Sequence, residues 1–167
     1  MKKANTKKNS IETISLISVC FNHVEHIDNF FTSFLKVYGG IPYPILIADN
    51  ASQDKTFERL QYWKNIVGEN LTLFKNGENI GFAKANNRLI ELCKSDIVVL
   101  INPDVQFGHD FITPCARAAS LMNALVAPQL CDIKHGHYVH YAPFPDDPIS
   151  LIKEVVYQFL PYFKTVK

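Results

Sequence analysis

The most informative stretch of this chain is Ile97-Val98-Val99-Leu100-Ile101-Asn102-Pro103-Asp104. Its unbroken run of β-branched and aliphatic residues predicts a buried strand over residues 97–101, and the Asn-Pro pair predicts a turn at the carboxyl end of that strand. Open parallel sheets bind their ligands beyond the carboxyl ends of the strands. Asp104 is therefore a candidate oxygen ligand for a divalent cation that bridges to a diphosphate. The alternative is a turn aspartate that bonds only to its own backbone.

Residues before this stretch alternate between strand-like apolar runs and helical periodicity. The first predicted helix ends at Gly39 and the second at Gly68, and a loop over residues 76–81 precedes the third. Three earlier strands are predicted, over residues 14–21, 43–48 and 71–74. This βαβαβαβ order predicts an α/β fold with a mostly parallel sheet and helices on both faces.

Side-chain chemistry predicts where two helices begin, and apolar spacing predicts a third. Ser52 or Asp54 is expected to cap the second helix, and Asp110 to cap a fourth helix over residues 111–122. A short fifth strand is predicted at residues 125–126. The third helix is expected to carry four apolar residues at helical spacing, namely Phe82, Ala85, Leu89 and Leu92.

The signals weaken after residue 128. A hairpin through residues 134–136 is predicted, then a proline-rich link and a last helix over 149–160, whose apolar stripe either packs on the sheet or rests on a membrane surface. The predicted organisation is a disordered basic arm, an α/β domain, and a hairpin with a C-terminal helix, over residues 1–12, 13–127 and 128–167.

Composition excludes several classes of protein. The 167 residues are 47% hydrophobic, and 17 basic side chains nearly balance 16 acidic ones, which predicts one compact core and gives no case for nucleic-acid binding. The apolar runs are too short to span a membrane. The cysteines are scattered without a Cys-x-x-Cys pair, which favours reduced thiols. We therefore expect a cytoplasmic protein, with peripheral contact to the inner membrane as an open alternative.

Polar side chains follow every strand predicted in the first hundred residues. A turn or cap role is the alternative for any one of them. Neither a Gly-x-Gly-x-x-Gly fingerprint nor a P-loop is present, so a dinucleotide or phosphoryl-transfer site lacks its phosphate cradle. The residues that follow these strands share one edge of the predicted sheet. They are Phe21 with Asn22, Asp49 with Asn50, residues 76–79, and residues 102–104.

Four segments, taken together, resemble the inverting family 2 glycosyltransferases, and most of all the bacterial rhamnosyltransferase-like branch of cell-surface polysaccharide synthesis. The segments are residues 18–22, 47–54, 79–87 and 100–105, in the order and spacing of that family. The resemblance implies a glycosyltransferase-A fold, the Rossmann-like fold of nucleotide-diphospho-sugar transferases. It also implies metal-assisted transfer, with inversion, from a UDP- or dTDP-linked sugar to a glycan or lipid-linked acceptor.

The resemblance implies a role for each matching residue. The Phe21 ring would lie against the base, Asn22 would hold the loop, and Asp49 would accept from a base N–H. Asn102 would lie near the ribose or diphosphate, and Asp104 would bind Mg²⁺ or Mn²⁺. Asn102 replaces the first aspartate of the family motif, so metal affinity should be modest. The sugar and diphosphate would be bordered by Asn79, Gly81, Asn86 and Asn87. For Asn86 and Asn87 the alternative is a polar face of the helix.

The match breaks at the general base, which an inverting transfer needs to take the acceptor proton. The family supplies an acidic residue well downstream, and no acid after Asp104 has that setting. Asp146-Asp147 lies between prolines before a helix, so capping is the better interpretation. We leave the catalytic residue unassigned and expect a chain truncated after its donor-binding half, with an incomplete acceptor region. The other acids after Asp104 are Asp110, Asp132 and Glu154.

Other functions remain open at this point. The chain could be a catalytically incomplete nucleotide-sugar-binding module or half of a split enzyme. A nucleotidyltransferase is a third hypothesis, but it would show a basic, Gly-rich loop near the first strand.

Two groups of side chains stay ambiguous from the sequence. His135 and His137 could share a metal with Asp132, although an exposed hairpin explains them better, while His140 would face away. His23 and His26 either line the pocket or begin the first helix. We expect the C-terminal segment to pack on another copy, a partner chain or a membrane, through Val155, Phe159, Tyr162 and Phe163.

Overall fold

A computed structural model describes residues 13–128 and two further short strands. The chain divides into two compact units, with the boundary after Val126. The elements are β1 (Ile14–Cys20), α1 (Val24–Tyr38), β2 (Ile45–Asp49), α2 (Thr56–Val67), a 3-10 turn (Gly68–Asn70), β3 (Leu71–Lys75), α3 (Phe82–Leu92), β4 (Ile97–Leu100), α4 (Ile112–Met122), β5 (Leu130–Cys131) and β6 (Tyr138–Val139).

The first unit is built on a four-stranded sheet in the order β3-β2-β1-β4. All three pairings are parallel, with Cys20 opposite Asp49 and Ile17 opposite Leu100. Apolar runs form these strands because both faces of the sheet are covered by helices. The parallel α/β architecture predicted from the sequence is confirmed.

One face of the sheet packs against α1, α2 and the start of α4. Phe31 and Phe34 of α1 are fully buried, and the Phe31 ring stacks on Trp63 of α2 with centroids 5.0 Å apart. Aliphatic residues of the strands, such as Leu16 and Ile47, complete this cluster. Gly39 ends α1 in the left-handed region at φ +68°, where a residue with a Cβ would be strained. This face holds the larger part of the core.

The other face packs against α3. Ala85 and Leu89 of this helix contact Ile17, Val19 and Ala48 of the central strands. The predicted helix is present, but Phe82 and Leu92 at its two ends lie outside this packed face. They are 53% and 51% exposed, because α3 is short and only its middle turns lie against the sheet.

Several predicted boundaries are corrected. Residues 125–126 form no strand, and Leu125 is 86% exposed. Ser52 does not cap α2. Instead the Asp54 carboxylate accepts from the N–H of Thr56, at the first helical residue. Asp110 accepts from the N–H of Thr113 and so caps α4 as predicted.

The second unit contains β5 and β6, which pair antiparallel with Leu130 opposite Val139. This pairing agrees with the predicted hairpin, whose turn at 134–136 lies outside the described residues. No helix in the described part of the chain is long and apolar enough to cross a bilayer. The remaining predictions lie outside the described residues. They concern the arm over residues 1–12, His135, His137 and His140 with Asp132, the proline-rich link with Asp146-Asp147, the last helix over 149–160, and the apolar residues from Val155 to Phe163.

Candidate functional site

The four parallel strands place their carboxyl ends at one edge of the sheet, and the loops that leave this edge carry the predicted site residues. Phe21 and Asn22 follow β1, and Asp49 ends β2. Residues 76–81 join β3 to α3, and residues 101–111 join β4 to α4. The topology therefore brings the predicted groups to a common edge.

The loops after β1 and β2 are tied together by reciprocal hydrogen bonds. The Asn22 N–H donates to the Ser52 hydroxyl at 2.9 Å, and the Gln53 N–H donates to Asn22 Oδ1 at 2.8 Å. Asn22 and Ala51 have φ values of +57° and +64°, in the left-handed region that disfavours most side chains. Backbone held in such conformations concentrates at functional sites. Asn22 therefore connects the loop after β1 to the loop after β2.

Asp54 adds a second connection between these loops. Its carboxylate accepts from the Val24 N–H at 3.2 Å and from the Thr56 N–H at 2.9 Å. Burial would raise the pKa of Asp54, but the bonds from Thr56 and Val24 outweigh it and hold the pKa below its usual range. The starts of α1 and α2 are therefore held by one ionised carboxylate.

Asp49 is the most unusual polar residue at this edge. It is fully buried, and its Oδ2 accepts from the Ser52 N–H at 3.3 Å. Its Oδ1 is buried and has no hydrogen-bond partner among the described residues. A buried carboxylate oxygen without a partner costs free energy, so Oδ1 keeps an unused capacity to accept a hydrogen bond.

Asn50 joins β2 to the loop before α3. Its Oδ1 accepts from Asn76 Nδ2 at 2.9 Å and from the Ile80 N–H at 3.2 Å. Its Nδ2 donates to Asn79 Oδ1 at 2.7 Å, and the same Asn79 oxygen accepts from the Gly81 N–H at 3.0 Å. Sequence reasoning did not assign a role to Asn50, because its partners lie about 30 residues away along the chain.

Phe21 is exposed beside this network. The ring is 37% exposed, which leaves it free to lie against a planar ligand. The Phe21 N–H donates to His23 Nδ1 at 3.0 Å, so His23 supports this loop from the residue just before α1. His26 lies one turn further on, with its ring 5.9 Å from that of His23.

The turn after β4 presents Asn102 and Asp104 outward. Both residues are exposed, whereas Pro103 between them is buried, and the Val105 N–H closes the turn on the Asn102 carbonyl at 3.2 Å. Because β4 pairs with β1, this turn lies on the side of β1 opposite to Asp49. The buried proline anchors the turn and leaves the two polar side chains free for a ligand.

On α3 the two predicted asparagines differ. Asn86 is buried, its Nδ2 donates to the Phe82 carbonyl at 3.0 Å, and its Oδ1 has no partner among the described residues. Asn87 is exposed. Asn86 therefore has an unfilled acceptor, whereas the exposed Asn87 is compatible with either of its two interpretations.

No carboxylate in residues 105–128 is suited to act as the general base. Asp110 is the only acid in this stretch, and its Oδ1 accepts from the Tyr38 hydroxyl at 2.9 Å and from the Thr113 N–H at 3.1 Å. Cys20 is no nucleophile either, because burial, reinforced by the charges of Asp49 and Asp54, raises the pKa of its thiol far above the usual value.

The described residues contain no group of three His, Cys, Asp or Glu side chains able to hold a metal alone. Asp104 fits a different arrangement, in which one carboxylate and the oxygens of a bound phosphate share the cation. Such a site forms only together with its ligand.

Comparison with known proteins agrees with this geometry. The family model for glycosyl transferase family 2 matches residues 15–160, and the chain belongs to this family. It is 30% identical over 121 residues to the N-acetylglucosaminyl-diphospho-decaprenol L-rhamnosyltransferase of Mycobacterium tuberculosis. That match covers 65% of this chain and 38% of the relative, so the chain spans little more than a third of the relative's length.

Solved structures of glycosyltransferases share the fold. S. aureus TarS in complex with UDP-GlcNAc is 18% identical, with a TM-score of 0.57 over 66% of this chain and 32% of that chain. The mannosyltransferase of Pyrobaculum calidifontis in complex with GDP-Man and Mn²⁺ is 20% identical, with a TM-score of 0.53 over 60% and 30%. At these identities the likeness shows the fold alone, and it confirms the predicted glycosyltransferase-A class.

Proposed function

We propose that this chain provides the donor site of a glycosyltransferase, which takes a sugar from a UDP- or dTDP-linked donor. The observation that carries the proposal is the buried Asp49, one oxygen of which has no partner among the residues that the structure describes. Uracil and thymine present one ring N–H, which matches this single free acceptor. Guanine presents adjacent N–H groups that would need both carboxylate oxygens, and Oδ2 already accepts from Ser52.

The remaining predicted residues surround this contact. The exposed Phe21 ring lies against the base, while Asn22 holds its loop through Ser52 and Gln53. Asn102 faces the ribose or diphosphate. Asn79, Gly81, Asn86 and Asn87 border the sugar and the diphosphate. These assignments extend the family resemblance with the hydrogen bonds described above.

Asp104 is the residue that would hold Mg²⁺ or Mn²⁺, together with the donor diphosphate. When bound, the cation supplies positive charge to the departing diphosphate. With Asn102 in place of an acid, the protein contributes a single carboxylate, so we expect the metal and the nucleotide to bind cooperatively.

The transfer joins an acceptor hydroxyl to the anomeric carbon with inversion. The bond from that carbon to the diphosphate breaks, and its electron pair leaves with the diphosphate. A base must take the hydroxyl proton. Asp110 is engaged with Tyr38 and Thr113 and is not suited to this role. We therefore keep a second candidate function, a nucleotide-sugar-binding module or one half of a split enzyme.

We further propose that the acceptor is a glycan or a lipid-linked glycan of bacterial surface polysaccharide, assembled at the cytoplasmic side of the membrane. The relative from M. tuberculosis, whose name specifies a diphospho-decaprenol acceptor, supports this choice. We also propose that this chain packs on another copy or a partner chain, or makes peripheral contact with the membrane.

Calorimetric titration of the chain with UDP and dTDP, with and without Mn²⁺, tests the proposal. We expect binding that Mn²⁺ strengthens, and loss of this metal dependence in Asp104→Ala. Exposed Asp104 makes no described hydrogen bond, so the variant should fold normally. Absence of binding to either diphosphate would overturn the donor-site proposal.

A further inference from the structure

The network around Asn50 fixes which atoms the neighbouring loop offers to a ligand. Backbone N–H groups can only donate, so the bond from Ile80 N–H identifies the accepting atom of Asn50 as its oxygen. The bond from Gly81 N–H identifies the accepting atom of Asn79 in the same way. With both amides oriented, Asn50 Nδ2 must be the donor in the 2.7 Å contact with Asn79 Oδ1.

This orientation leaves Asn79 with one kind of free group. Its oxygen already accepts from two N–H groups, those of Asn50 and Gly81. Its Nδ2 donates to no other group in the described part of the chain, and the residue is exposed. Asn79 can therefore offer N–H donors to a ligand, and its oxygen is withheld.

The Asn50 side chain is well suited to hold this arrangement rigid. It is 2% exposed, and both its oxygen and its nitrogen are engaged. Its own N–H donates to the Cys20 carbonyl at 2.8 Å, so it is anchored to β1. A buried amide with all these bonds made is costly to rearrange.

We propose that Asn50 is a positioning residue: its buried amide holds loop 76–81 so that Asn79 directs N–H donors at an oxygen-rich ligand, the diphosphate of the sugar donor. This inference rests on the proposed function. Asn50 itself touches no ligand and acts through Asn79.

Two substitutions, each of which replaces one side-chain nitrogen by oxygen, separate two kinds of contact. The inner bonds are those that Asn79 Oδ1 accepts from Asn50 and Gly81, and the outer contact is that of Asn79 Nδ2 with the ligand. In Asn50→Asp the new carboxylate still accepts from Ile80 and Asn76, but it cannot donate to Asn79 Oδ1. The Asn79 amide then turns over and loses its bond from Gly81. In Asn79→Asp the inner bonds from Asn50 and Gly81 persist, while the outward nitrogen becomes an oxygen. Asn65→Asp, an exposed change on α2, is the matched control for added charge.

Amide hydrogen exchange measured by NMR, without any ligand, tests whether Asn50 holds Asn79 and Gly81 in place. We expect Asn50→Asp to speed exchange at Gly81 at least about tenfold, the effect of losing one such bond, while Ile80 stays protected. Asn50→Ala should expose both amides. Unchanged exchange at Gly81 in Asn50→Asp would overturn the positioning role.

Titration of the same samples with UDP and with uridine tests whether Asn79 contacts the diphosphate. We expect both Asn50→Asp and Asn79→Asp to weaken UDP binding by about tenfold and to leave uridine binding and Asn65→Asp at wild-type values. Equal loss for uridine would show that Asn50 only supports the whole edge, and would overturn the inference. A wild-type chain that binds neither ligand would instead overturn the proposed function, and with it the role assigned to Asn79.

Discussion

The Asn22 N–H lies 2.9 Å from the Ser52 hydroxyl, which makes the loop after β1 and the loop after β2 one structural unit. Together with the return bond from Gln53 to Asn22, it holds a left-handed residue beside the exposed Phe21 ring. The base-binding part of the proposed site is therefore set by contacts between loops that are 30 residues apart along the chain.

Ser52→Ala should weaken both the fold and the site. Loss of the hydroxyl leaves the Asn22 N–H without its partner, which costs about 1 kcal/mol of unfolding free energy. UDP affinity should also fall several-fold because the Phe21 loop loosens. Urea unfolding and calorimetry measure the two effects. Ser120→Ala, on α4 and outside this network, is the control, and equal behaviour of the two variants would contradict the linkage.

Gly81→Ala should strain the backbone before α3. Gly81 has φ +84°, and an added Cβ would meet no atom within 4 Å, so any cost comes from the backbone alone. We expect a loss of about 1 kcal/mol, against almost none for Gly77→Ala in the same loop, where φ lies outside the left-handed region and the space is also open. Thermal unfolding compares the two variants. Similar melting temperatures would contradict the strain argument.

The aromatic core between α1 and α2 should dominate stability. Phe31 is fully buried against Trp63, and Phe31→Ala should cost about 3–5 kcal/mol because it removes contacts and leaves a cavity. Phe82→Ala, at a residue 53% exposed, should cost under about 1 kcal/mol. Denaturant titration of both variants checks the ranking. A larger loss for Phe82→Ala would mean that its ring is covered in solution.

Asp28 should make stability depend on acid pH. The bond from the Arg59 guanidinium holds the pKa of Asp28 below its usual range, and the Trp63 Nε1–H, at 2.8 Å, adds to this. Because the folded pKa is the lower one, the stabilisation is complete above the unfolded value and is lost as the pH falls below about 4. Asp28→Asn should flatten this fall. At pH 7 it should cost little, because the ion pair is partly exposed.

Unfolding by urea at pH 7 and pH 3 measures this difference. If the wild type and Asp28→Asn lose the same free energy of unfolding between the two pH values, Asp28 is not a source of the acid dependence.

Much of the architecture follows from local sequence. Apolar runs define the strands because buried parallel strands need no polar face, and Gly39 and Gly68 mark helix ends by their conformational freedom. The predicted strand at 125–126 is wrong because two apolar residues carry no period and no pairing partner is encoded locally. The exposure of Phe82 could not be predicted, since helical spacing does not say how far the sheet extends beneath a helix.

The site could be predicted only in part for a related reason. Motifs placed Asp49 and Asp104 at strand ends, but the unpartnered oxygen of Asp49 is visible only in three dimensions. The hydrogen bonds by which Asn50 holds the loop before α3 could not be predicted, because their partners are distant along the chain and no local spacing reveals them.

In the proposed donor site, Asp49 Oδ1 receives an N–H from a pyrimidine base. Calorimetry of the wild type and Asp49→Asn with UDP, dTDP and CDP, in the presence of Mn²⁺, measures this contact. Wild type should bind UDP and dTDP at least about tenfold tighter than CDP, because cytosine places an acceptor where uracil has its N–H. Asp49→Asn should lose this preference and keep or raise its melting temperature, since it removes a buried charge with an unpaired oxygen. Equal wild-type affinity for UDP and CDP, or an unchanged preference in Asp49→Asn, would contradict the account.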